Sequence, residues 1–301
     1  MRHGEISQGM FPNYPIRAIT NGVHAETWVS PQFARLFDAH VPQWRQDNLH
    51  LRYVMSISLD EIRRTHQEAK RILFDHLRSA NGAQLDETAF TIGFARRAAS
   101  YKRADLVFHN LERLRWIARN IGPLQIVMGG KAHPKDEGGK ELIRRVFQAA
   151  RELEGIIKVV YVENYDMAWA KLLCSGVDVW LNTPKRPHEA SGTSGMKAAM
   201  NGVPSLSILD GWWVEGHIEG VTGWPIGEDG DQATDDTAES ASLYDKLERV
   251  ILPMFYSHPT AYAKVMRSAI ALNGAYFNTQ RMVFQYVVDA YHAQASIAES
   301  A

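Results

Sequence analysis

At 301 residues the chain is long enough to bury a large core in one or two domains, and its 45% hydrophobic and 22% charged residues are ordinary for a globular protein. A formal net charge of −1 supplies no global field to recruit nucleic acid or an acidic membrane, so any anion site must be local. The single cysteine, Cys174, excludes an internal disulfide framework and a multi-cysteine metal site, and suits a reducing cytoplasm.

Residues 1 to about 50 read as irregular. Phe11-Pro12-Asn13-Tyr14-Pro15 and Val41-Pro42-Gln43-Trp44 are rich in proline and aromatics without a period, and Ile16–Thr20 could form one short strand before the turn at Asn21-Gly22. No apolar signal core follows Met1, and nowhere is there a run of about 18 apolar residues, so a soluble cytoplasmic protein is expected. From Leu59 the pattern becomes regular. An amphipathic helix over 59–81, with Ile62, Ala69, Ile72, Leu73 and Leu77 on its apolar side, stops at Gly82. Strands are then predicted at 90–95, 124–128, 156–162, 177–181 and 203–209, alternating with helices near 104–120, 140–153, 166–175 and 196–200. Asp210 to about Asp236 reads as a surface loop, and three more helices are expected near 238–250, 260–273 and 279–290. Five strands separated by helices indicate an α/β fold, a Rossmann-like parallel sheet with helices on both faces. In such sheets ligands bind beyond the carboxyl ends of the strands.

The stretch Glu189-Ala190-Ser191-Gly192-Thr193-Ser194-Gly195-Met196-Lys197 joins the fourth and fifth predicted strands. A strand, a Gly/Ser/Thr turn and a helix start together form an anion site, since free N–H groups and the helix dipole favour phosphate. Lys197, one turn into the helix, can reach back to it, and an amine in a partly desolvated site can form an imine. Phosphate cradle plus imine-forming lysine is the requirement of pyridoxal 5′-phosphate. The plainer reading is a polar loop capped by Ser191 or Thr193, with Lys197 solvated.

Other constellations fall on the same sheet edge. Arg96-Arg97…Tyr101-Lys102-Arg103 carries four cations in eight residues and reads as entering a helix, where cations oppose the dipole unless an anion is bound. Gly129-Gly130-Lys131 lets backbone approach a ligand and adds a charge. Glu163-Asn164-Tyr165 offers hydrogen-bond partners to a sugar or a ring. Glu189 could be a general base, a hydroxyl acceptor or a charge balance. Cys174 sits in an apolar helical pattern and reads as core. The histidines show no metal-like spacing, so no metal is expected.

These motifs resemble the α-glucan phosphorylases (glycogen, starch and maltodextrin phosphorylases), specifically their C-terminal cofactor lobe. The likeness is carried by Glu189-Ala190-Ser191-Gly192-Thr193-x-x-Met196-Lys197. In family order it extends to Thr20-Asn21-Gly22-Val23 with Trp28, Arg97…Tyr101-Lys102-Arg103, Gly129-Gly130-Lys131-Ala132-x-Pro134 and Val162-Glu163-Asn164-Tyr165. It runs from about residue 16 to the C-terminal helices and is strongest to the short bacterial branch. The resemblance implies a lobe of a glycosyltransferase-B fold and retaining phosphorolysis of α-1,4-glucan or maltodextrin, with inorganic phosphate, to α-glucose 1-phosphate. Pyridoxal phosphate would be held on Lys197, its phosphate by Arg96, Thr193, Ser194 and Gly195, its ring near Asn164 and Tyr165. Arg97 and Lys102 would bind the substrate phosphate and act with Lys197 as the catalytic set. Asn21, Tyr101, Lys131, Glu189, Ser191 and Gly192 would line the sugar site. Arg96 stands where animal enzymes carry Lys, and Ser194-Gly195 replaces their Gly-Asn. Residues 1–58 are then expected to be the remnant of a missing N-terminal lobe and 59–301 the cofactor lobe. That lobe would be weak or inactive alone, with the absent lobe or a second copy as its protein partner. A nucleotide-sugar glycosyltransferase of the glycogen-synthase type, or a non-catalytic cofactor- or glucan-binding lobe, are the alternatives.

Overall fold

Six short strands, β1 (Phe90–Ala95), β2 (Leu124–Gly129), β3 (Lys158–Val162), β4 (Val179–Asn182), β5 (Ser205–Ile208) and β6 (Gly223–Ile226), form one sheet in a computed structural model that describes residues 2–227 and 235–291. Their spatial order is β3-β2-β1-β4-β5-β6 and every pairing is parallel. β1, β2, β4, β5 and β6 are buried along their whole length, which is why they read as apolar runs and not as alternating ones. The order reverses direction between β1 and β4, and the crevice at such a switch point is where ligands bind in this sheet class.

Thirteen α-helices surround the sheet among the described residues. They are α1 (Arg2–Met10), α2 (Ala25–Trp28), α3 (Pro31–His40), α4 (Leu59–Asn81), α5 (Leu111–Asn120), α6 (Glu137–Glu152), α7 (Met167–Gly176), α8 (Thr193–Ala199), α9 (Trp213–Gly216), α10 (Asp236–Lys246), α11 (Leu252–Ser257), α12 (Pro259–Ser268) and α13 (Thr279–Tyr286). α4 has the bounds its periodicity indicates: Ser58 accepts the Glu61 N–H at its start, and Gly82 ends it in the left-handed conformation at φ 71°. α5 starts later than the sequence suggests because Asn110 caps it, accepting the Arg113 N–H. α4 and α7 touch closely at Gly176, where a Cβ would lie 2.7 Å from Leu73 Cβ.

Three sequence expectations fail. The stretch before residue 50 is largely folded: α2, α3 and two 3-10 turns, Pro42–Arg45 and Asn48–Ser56, bury Phe33, Phe37, Trp44, Leu51 and Val54 in the same apolar core as Phe90, Ile92, Leu206 and Ile208. Each such side chain contributes roughly 1.5–3 kcal/mol of burial, so the segment packs firmly into this core. Ile16–Thr20 forms no strand, and Val23 instead bridges to Asn278 just before α13. The loop expected over 210–236 contains α9 and β6, which is buried throughout; Pro225 is tolerated because β6 is an edge strand. Residues 228–234 of that loop lie outside the described residues. No described helix is long and apolar enough to cross a membrane.

Candidate functional site

Register brings the motifs to one edge. Ala95, Gly129 and Val162 are aligned across β1, β2 and β3, so Arg96, Gly130 and Glu163 leave the sheet side by side. Asn182, the last residue of β4, and Asp210, just after β5, emerge beside them. Gly130 has to be glycine: at φ 154° its missing Cβ is what lets the chain pass against the Arg96 carbonyl.

The centre of the site is Glu189. Its Oε2 accepts from Arg96 Nη2 at 2.9 Å and from Lys102 Nζ, while Arg96 Nη1 also donates to Asn182 Oδ1. All three charged side chains are nearly buried, so one carboxylate balances two desolvated cations. Asp210 fixes the carboxylate's backbone, accepting the Glu189 N–H at 2.9 Å on Oδ2 and the Gly211 N–H at 3.0 Å on Oδ1. Lys102 also rests over the Tyr101 ring, 4.5 Å from its centroid. The cationic segment does not enter an α-helix as its sequence suggests. It makes a 3-10 turn at Ser100–Lys102 and a left-handed residue at Arg103, and two of its four charges, Arg96 and Lys102, are met by Glu189 and not by a helix dipole.

The glycine-rich loop then turns into α8. Gly192 caps α8 in the left-handed conformation and offers no side-chain acceptor, which leaves the first-turn N–H groups without a side-chain cap. Ser194 Oγ accepts from Trp180 Nε1 at 3.2 Å, and Gly195 lies against the Trp212 indole, where a Cβ would come within 2.7 Å. Lys197 projects its ammonium over Trp28, 3.7 Å from the ring centroid. Burial depresses its pKa below the ordinary lysine value and the Arg96 charge adds to this, opposed by Cys174. Lys197 is thus half-buried near Arg96, not on a solvated face. Cys174 is core, as its pattern suggests, and burial pushes its thiol up to about 12. Tyr165 packs on Gly129, and burial raises its phenol well above the usual value. Asn21 shares a groove of about 260 Å3 with Ser191, Gly211, Trp212 and Glu215.

Arg97, Lys131 and Asn164 are exposed at the same edge, and Thr193 is half-buried; none makes a side-chain hydrogen bond or ion pair among the described residues. Arg103 is drawn away from the cluster. Buried, it donates to the Thr183 and Pro184 carbonyls at 3.0 and 2.9 Å and pairs with Asp236 and Glu239. Sequence reasoning misses Asn182, Asp210 and Trp212 as site residues and has Trp28 only as part of a motif. Asn182 is a polar residue ending an apolar strand, a readable signal; the other two declare themselves only through contacts. Among the described residues no cluster of histidine, cysteine and carboxylates has metal-holding geometry.

Residues 8–223 match the family model described as carbohydrate phosphorylase. The maltodextrin phosphorylase of Thermococcus litoralis is 40% identical across 93% of this chain and 36% of its own length. The glycogen phosphorylase of Aquifex aeolicus is 36% identical across 96% of this chain and 46% of its own, and that of Mycobacterium tuberculosis 35% identical across 98% and 38%. The chain therefore spans between about a third and a half of these relatives' lengths. With a family match over most of its length and the motifs gathered at the sheet's switch point, the chain belongs to the carbohydrate phosphorylase family.

Proposed function

We propose that this chain is the cofactor-bearing lobe of a pyridoxal-phosphate-dependent α-glucan phosphorylase that forms α-glucose 1-phosphate from glucan and inorganic phosphate. The observation that supports it most is Lys197: a half-buried amine of lowered pKa, seated on Trp28 and close to Arg96, at the switch point of the sheet.

The residues present fit the cofactor. A depressed lysine is the nucleophile its aldehyde needs, the uncapped first turn of α8 with Arg96 suits its phosphate, and Gly129 and Gly130 leave backbone room beside Tyr165. When bound, pyridoxal phosphate would supply a phosphate group able to serve as acid and base beside inorganic phosphate. Thr193, Ser194 and Gly195 would hold that phosphate, with Asn164 and Tyr165 near the ring. Arg97 and Lys102 would bind inorganic phosphate, Arg97 being free to turn inward since no described residue holds it. Two dianions in contact need several cations, and the water-poor surroundings of Arg96 and Lys102 strengthen that pairing. Asn21, Tyr101, Lys131, Glu189, Ser191 and Gly192 would bind glucosyl hydroxyls. Glu189 meanwhile keeps Arg96 and Lys102 together against their repulsion. The other wall of the cleft would come from sequence that the longer relatives carry, and a cytoplasmic location follows from the reaction class. Membership of the phosphorylase family displaces the nucleotide-sugar reading.

The test is glucose 1-phosphate release from maltodextrin and inorganic phosphate, with the chain loaded with cofactor and co-purified with the N-terminal part of a relative. Activity that is lost on Arg97→Ala supports the proposal. No product from a complex that binds the cofactor would refute it.

A further inference from the structure

At the opposite, amino end of the sheet lies a cavity of about 670 Å3, a volume typical of small-molecule sites. One wall is a face of α4, on which Arg63, His66 and Lys70 recur at helical spacing. The facing wall is aromatic, with Phe255 from α11 and Tyr262 from α12, and Asp178 forms the floor. Lys70 and Asp178 are each 2% exposed and His66 5%. Asp178 is fully engaged: it accepts from Lys70 Nζ at 2.7 Å, His66 Nε2 at 3.0 Å and the Thr91 N–H at 2.7 Å.

The nitrogen groups on the α4 wall are not fully engaged. Lys70 uses two of its three N–H bonds, on Asp178 and on the Ala89 carbonyl at 2.8 Å. Nδ1 of His66 has no hydrogen-bond partner among the described residues. Among the described residues Arg63 has an ion pair only with Asp60, at 3.7 Å. On the wall Lys70 is balanced by Asp178 and Arg71 by Glu87, so Arg63 is the lining charge without a counter-charge on the wall itself. Structural stability alone does not call for this, since a buried ion cluster is commonly no better than an apolar filling of the same volume.

We propose that this cavity is a second ligand site, taking a small aromatic molecule that bears a phosphate or carboxylate. Its anion lies on the Arg63 side of α4 and its ring against Phe255 and Tyr262. The site is independent of the one around Lys197, being at the other end of the sheet.

The test is an amide NMR titration of the chain carrying Lys197→Ala, with phenyl phosphate and benzoate as probes and with phenol and inorganic phosphate as controls. At least one probe should shift amides of residues 63–71 and 255–262 saturably, about tenfold more tightly than either control. Arg63→Ala should weaken it about tenfold, the scale of one charge-assisted hydrogen bond. Phe255→Leu should weaken it severalfold. The proposal is overturned if neither probe saturates these amides, if inorganic phosphate binds there as tightly, or if both Arg63→Ala and Arg63→Glu leave the affinity unchanged.

Discussion

Replacing Glu189 by Gln removes one negative charge and little volume from the centre of the site. Its Oε2 is shared by Arg96 and Lys102, with side-chain exposures of 7% for Glu189, 10% for Arg96 and 7% for Lys102. Removing the carboxylate strands two desolvated cations, and breaking a buried pair in this way costs about 3–5 kcal/mol. At about 2.1 cal/mol/K per residue, a chain of 301 residues has an unfolding entropy near 0.63 kcal/mol/K, so Tm should fall by about 5–8 °C. If the cations are there for phosphate, the anion replaces the lost charge. Phosphate at a hundred times its Kd should return about 2.7 kcal/mol, or about 4 °C, to Glu189→Gln, and visibly less to the parent, where Glu189 competes. Thermal melts with and without inorganic phosphate, at matched ionic strength, measure both effects. A large loss that phosphate does not recover would reduce Glu189, Arg96 and Lys102 to a structural ion cluster.

Lys197→Ala should abolish retention of pyridoxal phosphate, read by absorbance after gel filtration; in the parent, loading should rise with pH and reach half its maximum below the ordinary lysine value of 10.5. Gly195→Ala places a Cβ within 2.7 Å of Trp212, which is itself packed on Trp213 and Phe277, so overpacking of about 1–3 kcal/mol should lower Tm by about 2–5 °C; an unchanged melt would contradict the packing. Burial alone would raise the Asp178 pKa, but Lys70 and His66 outweigh it and hold the carboxyl below 3.8. Its contribution is therefore complete above the unfolded value of about 3.9 and lost as pH falls through the folded one. Lys70→Met should cost about 3–5 kcal/mol at neutral pH and bring acid unfolding on at higher pH; urea titrations at several pH values would show both, and an unmoved acid limb would refute the pairing.

Most of the sheet was legible because β1, β2, β4 and β5 are buried on both faces and stand out as short apolar runs between helices of clear period. β6 was hidden: four residues, one of them Pro225, in a stretch dominated by glycine and acids. The folded segment before α4 was hidden for a related reason, since α2 and the turns at 42–45 and 48–56 are too short for a period to emerge. In the site, the glycine loop and Lys197 announced themselves by local order of residues. The pairing of Arg96 and Lys102 with Glu189 did not, because it joins residues about ninety positions apart across the sheet's switch point. The same folding removed Arg103 from the anion site, where its neighbours in sequence had placed it, and used it to clamp the chain after β4.

This lobe is proposed to carry pyridoxal phosphate on Lys197. Borohydride reduction of the cofactor-loaded chain, followed by peptide mapping, addresses it directly. One reduced pyridoxyl group per chain is expected, on the peptide containing Lys197. A stoichiometric adduct on any other lysine, or none after saturating cofactor, would contradict it.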